Sequence, residues 1–402
     1  MLDNGIPVYT INAGFQDIVK IELLFMNDSF NPSEPIVSSA ANRMLSEGSK
    51  KHTSQELAEM IDAYGAFYET EESYDYCSLI LFTLNRYLDE TLAVLSEIVT
   101  DAIFPQNDLS TFIQNNRQAL IVESEKVNSV ARKKFSEVIF GLDHSYGYNI
   151  TPVDYERLNR EILQTYHQKN YHSGNCTILV SGKVKPDTNI SLNKYFGKEV
   201  WKRNAPALLT GSVVQPSSEK KHLVEKKDAV QSAIRIGKVL FNKTHPDYIG
   251  LTVLNTALGG YFGSRLMSNI REDKGYTYGI GSALMSMKES GCFFISTEVG
   301  ANVAGKAIDE IYFEIERLRK EPVKGNELEM VKNFMTGSFL KGIDGAFQLA
   351  DRWKGLWIHG LGYDYFERYL SKINEIQPDE LVYLAGKYLD SGDFYEVVVG
   401  KK

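Results

Sequence analysis

The chain has 402 residues, 43% hydrophobic and 24% charged, with a formal net charge of −8. That length exceeds one ordinary core and points to two domains of about 200 residues each. No run of Lys or Arg stands out, and no apolar run approaches the ~18–20 residues of a membrane span, so nucleic-acid binding and membrane association are excluded as leading functions. The three cysteines, Cys77, Cys176 and Cys292, are odd in number and lack C-x-x-C spacing. They read as buried thiols of a reducing compartment. Met1 runs into a strand-like segment, Ile6 to Ile11, without a leader pattern, so the expected location is cytoplasmic.

In chain order, apolar runs near Ile18–Met26 and Cys77–Leu84 read as strands. Helical periodicity covers Glu34–Leu45, Gln55–Tyr64, Leu88–Ile103 and Leu109–Phe140, and Thr53 with Glu56 forms a capping box at the start of the second of these. Further helices span about Asp154–Lys169 and Pro378–Lys387, each leading into a β-rich run, Thr177–Val180 and Val397–Val399. Strands that pair among themselves with helices grouped around them define an α+β fold rather than a wound parallel sheet.

The chain repeats itself once. Tyr171-His172-Ser173-Gly174-Asn175 reappears as Tyr388-Leu389-Asp390-Ser391-Gly392. Gly65-Ala66-Phe67-Tyr68 corresponds to Gly275-Tyr276-Thr277-Tyr278, and the strand at Cys77 to that at Cys292. The offsets, 217, 210 and 215 residues, are nearly constant, which implies two copies of one domain. Pro206, Gly211, Pro216, Ser217 and Ser218 break any period at the join. The expected layout is residues 1–205, a linker 206–221, and residues 222–402.

On the helix Glu34–Leu45, Ile36/Val37, Ala40/Ala41 and Met44/Leu45 form the apolar stripe, and Ser39, Asn42 and Arg43 share another face. Met44-Leu45-x-x-Gly48, the element order and the long helix near residue 123 resemble the insulinase/pitrilysin zinc peptidases, which include mitochondrial processing peptidase. The resemblance implies two homologous domains, each an antiparallel-rich sheet on helices, facing each other as a clamshell. In that family the first helix carries His-x-x-Glu-His, and a Glu roughly 80 residues on completes the zinc site. In this register Ser39 stands at the first histidine, Asn42 at the catalytic glutamate, Arg43 at the second histidine and Glu123 at the third ligand.

Catalytic zinc needs three protein donors and an open position for water. Ser39 is a poor ligand, the Arg43 guanidinium has no lone pair to donate, and Asn42 accepts no proton from a metal-bound water. Zinc-dependent hydrolysis by this half is therefore not expected and no metal is expected in the chain, a self-sufficient metallopeptidase with a displaced metal being the remaining alternative. The guanidinium of Arg43 is expected near the zinc position, paired with Glu123, because an uncompensated buried carboxylate is costly.

The second half carries Leu258-Gly259-Gly260-Tyr261-Phe262-Gly263, then Arg271-Glu272-Asp273-Lys274-Gly275-Tyr276-Thr277-Tyr278. This resembles the family's glycine-rich loop, with Gly259, Gly260 and Gly263 expected at substrate, and its Arg-Glu-x-x-Gly-x-x-Tyr motif. The resemblance gives Arg271 and Tyr278 contacts to the substrate carbonyl that stabilise an oxyanion. An erased zinc motif beside a kept Arg/Tyr motif matches the non-zinc subunit of a two-chain peptidase. The implied partners are a zinc-bearing paralogue in a heterodimer, with zinc only in that partner, and a peptide that adds to a sheet edge. The alternative is a catalytically inactive structural or peptide-binding protein, acting as a homodimer or scaffold. His167 and His172 lack a third donor nearby, no Gly-Lys-Ser/Thr follows the glycines, and Trp353 and Trp357 read as core.

Overall fold

The computed structural model describes residues 1–27, 30–201 and 213–402. The part of the expected linker at 206–212 lies outside the described residues. The described residues form ten strands: β1 (Val8–Asn12), β2 (Ile18–Met26), β3 (Phe67–Glu72), β4 (Tyr76–Leu84), β5 (Cys176–Gly182), β6 (Lys221–Glu225), β7 (Gln231–Leu240), β8 (Thr277–Ser286), β9 (Gly291–Gly300) and β10 (Tyr395–Gly400). They form two five-stranded sheets, ordered β1-β5-β2-β4-β3 and β6-β10-β7-β9-β8. In each sheet one outer pair is parallel (β1 with β5, β6 with β10) and the remaining pairs are antiparallel. The α+β class and the duplication therefore stand, strand for strand. Even a turn is repeated: Gly65 and Gly275, just before β3 and β8, have φ of 61° and 65°, a left-handed conformation that a side chain would resist.

Each sheet packs its helices for a plain reason. Along β2, Val19, Ile21, Leu23 and Phe25 alternate onto one face and meet Ala40, Ala41 and Met44 of the first helix and Leu92 and Leu95 of the helix Leu88–Thr100. All seven residues of β5 are buried, as expected for a strand covered on both faces. The first helix is shorter than its periodicity suggests, Val37–Arg43, because Pro35 biases the residue before it away from helix. The capping box is present, with Thr53 N donating to Glu56 Oε2 at 2.8 Å and Glu56 N to Thr53 Oγ1 at 3.3 Å.

One expected helix is two. Leu109–Phe140 divides into Gln106–Glu125 and Val127–Phe140, with Lys126 extended at φ −79° and ψ 123°. Val, Asn and Ser follow the break and are poor helix formers there. The break also redirects the chain, because the compact units are not contiguous halves. The first comprises Met1–Leu120, the stretch from Ile150 to the join, and Ile343–Lys354; the second comprises Ile121–Asn149, the stretch from the join to Gly342, and Gly355–Lys402. Relative to a split at one linker, each half has given one helical segment to the other unit.

In the second unit the helix Val127–Phe140 covers one face of its sheet with Ala131, Phe135, Val138 and Ile139 against Ala233, Val397 and Val399. In the first unit the helix Ala346–Trp357, through Lys354, brings Phe347 edge-on to Phe82 (5.5 Å between ring centres) and Trp353 to Tyr9 (4.4 Å). That contact also closes a buried ionic web. Glu22, with no exposed side chain, accepts from Lys354 Nζ at 2.6 Å and lies 3.3 Å from Lys20. Lys20 in turn reaches Asp351 at 2.7 Å, and Lys354 also pairs with Glu71. Burial alone would lower the Lys354 pKa, but Glu22, Tyr76 and Glu71 together outweigh it and the net shift is upward.

Lys354→Met leaves Glu22 with only its more distant lysine and is expected to cost about 3 kcal/mol of stability in urea unfolding. The paired change Glu22→Leu with Lys354→Met is expected to recover most of that loss; equal instability of single and double variants would contradict the ionic account.

Candidate functional site

The first helix presents the positions that correspond to the family's metal site, and two of its side chains, Asn42 and Arg43, have taken other partners. Ser39 is half-buried. Asn42 is fully buried: its Nδ2 donates to Glu71 O (2.9 Å) and Ser78 O (3.4 Å), and its Oδ1 accepts from Tyr171 OH at 3.0 Å. The amide thus ties the helix to β3, β4 and the end of the helix Arg160–Asn170. The second copy contains a similar tie, where Asn255 Nδ2 donates to Ser282 O of β8 at 3.3 Å. A carboxylate at position 42 would turn its oxygens toward two carbonyl oxygens, so this environment favours an amide and opposes a general base.

The partners that Arg43 and Glu123 have within their own units differ from the ion pair the sequence suggests. The Arg43 guanidinium pairs with Glu72 of β3 and donates to Asn116 Oδ1 at 3.4 Å, and its side chain is 47% exposed. Glu123 is 44% exposed, pairs with Lys126, and accepts from Ser129 Oγ at 2.6 Å. Hydrogen bonds from Lys126 and then Ser129 hold its carboxyl below the usual carboxylate range. The physical reason is local: the helix break places Lys126 and Ser129 within reach, and a solvated carboxylate has no need of a further cation. Ser39, Asn42 and Arg43 do not fit zinc, and among the described residues no group of three or more His, Cys, Asp or Glu could hold a metal. His167 also has another role, with Nε2 2.7 Å from Val99 O and its ring stacked on Tyr171.

The second unit keeps its motif in a different condition. Two π-helical segments, Thr256–Gly260 and Met267–Asp273, flank the glycine-rich stretch; wide turns of this kind frequently mark functional sites. Gly259 is packed so tightly on β8 that a Cβ there would lie 2.6 Å from both Ser282 N and Ser282 Oγ. Gly260 and Gly263 are exposed. Arg271 lies in the second π-helical segment, half-buried, with its guanidinium 4.8 Å from the centre of the exposed Phe262 ring. The turn Lys274–Gly275, closed by Tyr276 N to Ile270 O at 3.0 Å, leads directly from Arg271 to the strand carrying Tyr278.

Tyr278 is 92% exposed. It stands in a β-bulge, where the register between β8 and β9 shifts between Thr277 and Ile280. Hydroxyls stitch the bulge: Thr277 Oγ1 donates to Glu298 O at 2.7 Å, and Thr297 Oγ1 lies 3.0 Å from Thr277 Oγ1 and 2.9 Å from Gly279 O. Tyr278 therefore does not pack into the core. Bulges re-aim side chains, and this one directs a large aromatic into solvent. Sequence reasoning missed the bulge, although Gly279 and Gly281 inside a strand pattern are its usual sign.

A duplicated pair of five-stranded α+β units, one with a first helix at metal-site register and one with a glycine-rich Arg/Tyr segment, is the architecture of a metallopeptidase family. The sequence matches the family description "Insulinase (Peptidase family M16)" over residues 37–161 and "Peptidase M16 inactive domain" over residues 157–335, and the chain belongs to the M16 family. It is 25% identical over 310 residues to an uncharacterized zinc protease, YmxG, of Bacillus subtilis, covering 77% of this chain and 74% of that one. Its fold resembles a peptidase M16 inactive domain from Pseudomonas fluorescens (TM-score 0.88, 20% identity, 100% and 97% of the two chains). It also resembles a protease from Helicobacter pylori (TM-score 0.89, 16% identity, 99% and 98%). YmxG is named a zinc protease, whereas Ser39, Asn42 and Arg43 of this chain supply no ligand set.

The role assigned to Asn42 has a pH signature. In Asn42→Asp, the carbonyl oxygens raise the folded-state pKa of the new carboxyl above its unfolded value of about 3.9. Protonated, it still donates one hydrogen bond, so the variant is expected to approach wild-type stability near pH 4. The deficit opens as pH rises past the unfolded pKa and reaches about 2 kcal/mol above the folded one. Wild-type stability of Asn42→Asp at pH 7 in denaturant melts would contradict the assignment.

Proposed function

We propose that this chain is the non-zinc subunit of a two-chain M16 peptidase, supplying Arg271 and Tyr278 to a peptide held at the metal centre of a zinc-bearing paralogue. The observation that carries the reading is the Tyr278 bulge. A tyrosine held almost wholly in water by a dedicated set of threonine hydroxyls contributes little to its own unit's stability, while a phenol so placed is free to donate to a developing oxyanion. The erased first helix supports the same division of labour: with Asn42 locked as a structural tie, the chain needs metal and general base from elsewhere. The proposed cofactor is accordingly a zinc ion in the partner, and the proposed substrate is a peptide.

The test mixes this chain with a paralogue that retains His-x-x-Glu-His and follows cleavage of a quenched fluorescent peptide. Cleavage is expected to require both chains. Arg271→Ala or Tyr278→Phe is expected to lower kcat by about 10²-fold, while Tyr278→Phe changes stability by less than about 0.5 kcal/mol. Cleavage indifferent to both substitutions would remove the supplying role and leave a non-catalytic peptide-binding or scaffold role.

A further inference from the structure

Beside the bulge lies a cavity of about 320 Å³, lined by Asn128, Gln231, Tyr278, Ser296, Thr297 and Glu298 among others. It belongs wholly to the second unit, on the face of β7 and β9 that the helix Val127–Phe140 covers farther along. Its volume is at the small end of ligand pockets, which run ~300–1,000 Å³, and suits one side chain.

Glu298 is the one acidic lining residue. Register places it opposite Ala233, one position along that face from the Arg235/Ser296 pair. Its carboxylate is half-buried and makes no ion pair or hydrogen bond among the described residues; only its backbone carbonyl is used, by Thr277 Oγ1. The cation one register position away is committed elsewhere: Arg235 donates to Asn128 Oδ1 at 3.4 Å and stands 5.2 Å from the Phe294 ring centre. Arg235 and Glu298 feel each other's charge without forming an ion pair. An unpaired, half-desolvated carboxylate lining the same cavity as an exposed phenol ring offers both a counter-ion and a cation–π partner.

We propose that this cavity is a subsite for a positively charged peptide side chain, lysine or arginine, with Glu298 as its counter-ion and Tyr278 stacking on it. It rests on the reading of Tyr278 as a substrate-contacting residue. It adds that the chain selects basic peptides, a property independent of the metal-bearing partner. The hydroxyl and amide groups of Ser296, Asn128 and Gln231 line the cavity and supply acceptors for the remaining N–H donors of a guanidinium, which has five.

The test uses this chain alone and the anisotropy of a fluorescein-labelled, terminally blocked, uncharged peptide carrying a single central arginine. The control carries citrulline, which keeps the shape and loses the charge. The arginine peptide is expected to bind about fivefold more tightly, with the advantage shrinking at high salt. Glu298→Gln is expected to abolish the difference while leaving citrulline binding unchanged. Equal affinities, no binding of either peptide, or a preference that survives Glu298→Gln would each overturn the proposal. A chain that prefers arginine yet leaves partner cleavage indifferent to Arg271 and Tyr278 keeps the subsite and loses the supplying role. A chain that supports cleavage but ignores the charge does the reverse.

Discussion

A carboxylate with no exposed surface stands in the middle of β2, and much of the first unit is arranged to neutralise it. Glu22 falls on the face of the sheet away from the main core, next to Lys20 on the same strand. Neither would be tolerated there without a cover that brings charge as well as apolar surface. The segment Ile343–Lys354 brings both, through Lys354 and Asp351 on one side and Phe347 and Trp353 on the other. The second sheet has the same need for a second cover and meets it mainly with apolar contacts from the helix Val127–Phe140, beside the hydrogen bond from Arg235 to Asn128. One topology is thus completed twice by segments distant in sequence, once by ions and once by packing.

On that shared frame the two copies have diverged at corresponding places. In the first, the helix that faces β3 and β4 is tied down by the buried amide of Asn42, and Arg43 is turned to Glu72. These two side chains are satisfied within the unit, which leaves an element without general base or metal ligand set. In the second, packing constraints are concentrated under the motif, at Gly259 against Ser282, and the reactive-looking groups are left free: Arg271 over Phe262, Tyr278 in solvent. Structure that spends hydroxyls on exposing a tyrosine is hard to explain by stability, since an exposed aromatic forgoes its burial energy.

The duplicated α+β fold was legible because strands of period two and the capping box are local signals, and because a near-constant offset is a global one. The exchange of helices was not legible. Nothing in Leu109–Phe140 except the weak run Val127-Asn128-Ser129 hints at a break, and no periodicity states which sheet a helix covers. The loss of the metal site could be read from residue chemistry alone, since Ser, Asn and Arg lack the donors. What replaced it could not: the pairing of Arg43 with Glu123 assumed that a motif partner stays a partner, whereas Lys126 and Ser129 satisfy Glu123 locally. The bulge at Tyr278 depends on hydroxyl pairing across two strands, so only its glycines marked it in advance.

The central claim is that this M16 chain has no metal centre of its own, its first helix having become purely structural. Zinc stoichiometry of the chain, purified without chelators or an affinity tag that binds metal and measured by elemental mass spectrometry, tests it most directly. Well under one tenth of an equivalent of zinc per chain is the predicted result. Close to one equivalent, retained through dialysis, would contradict the account.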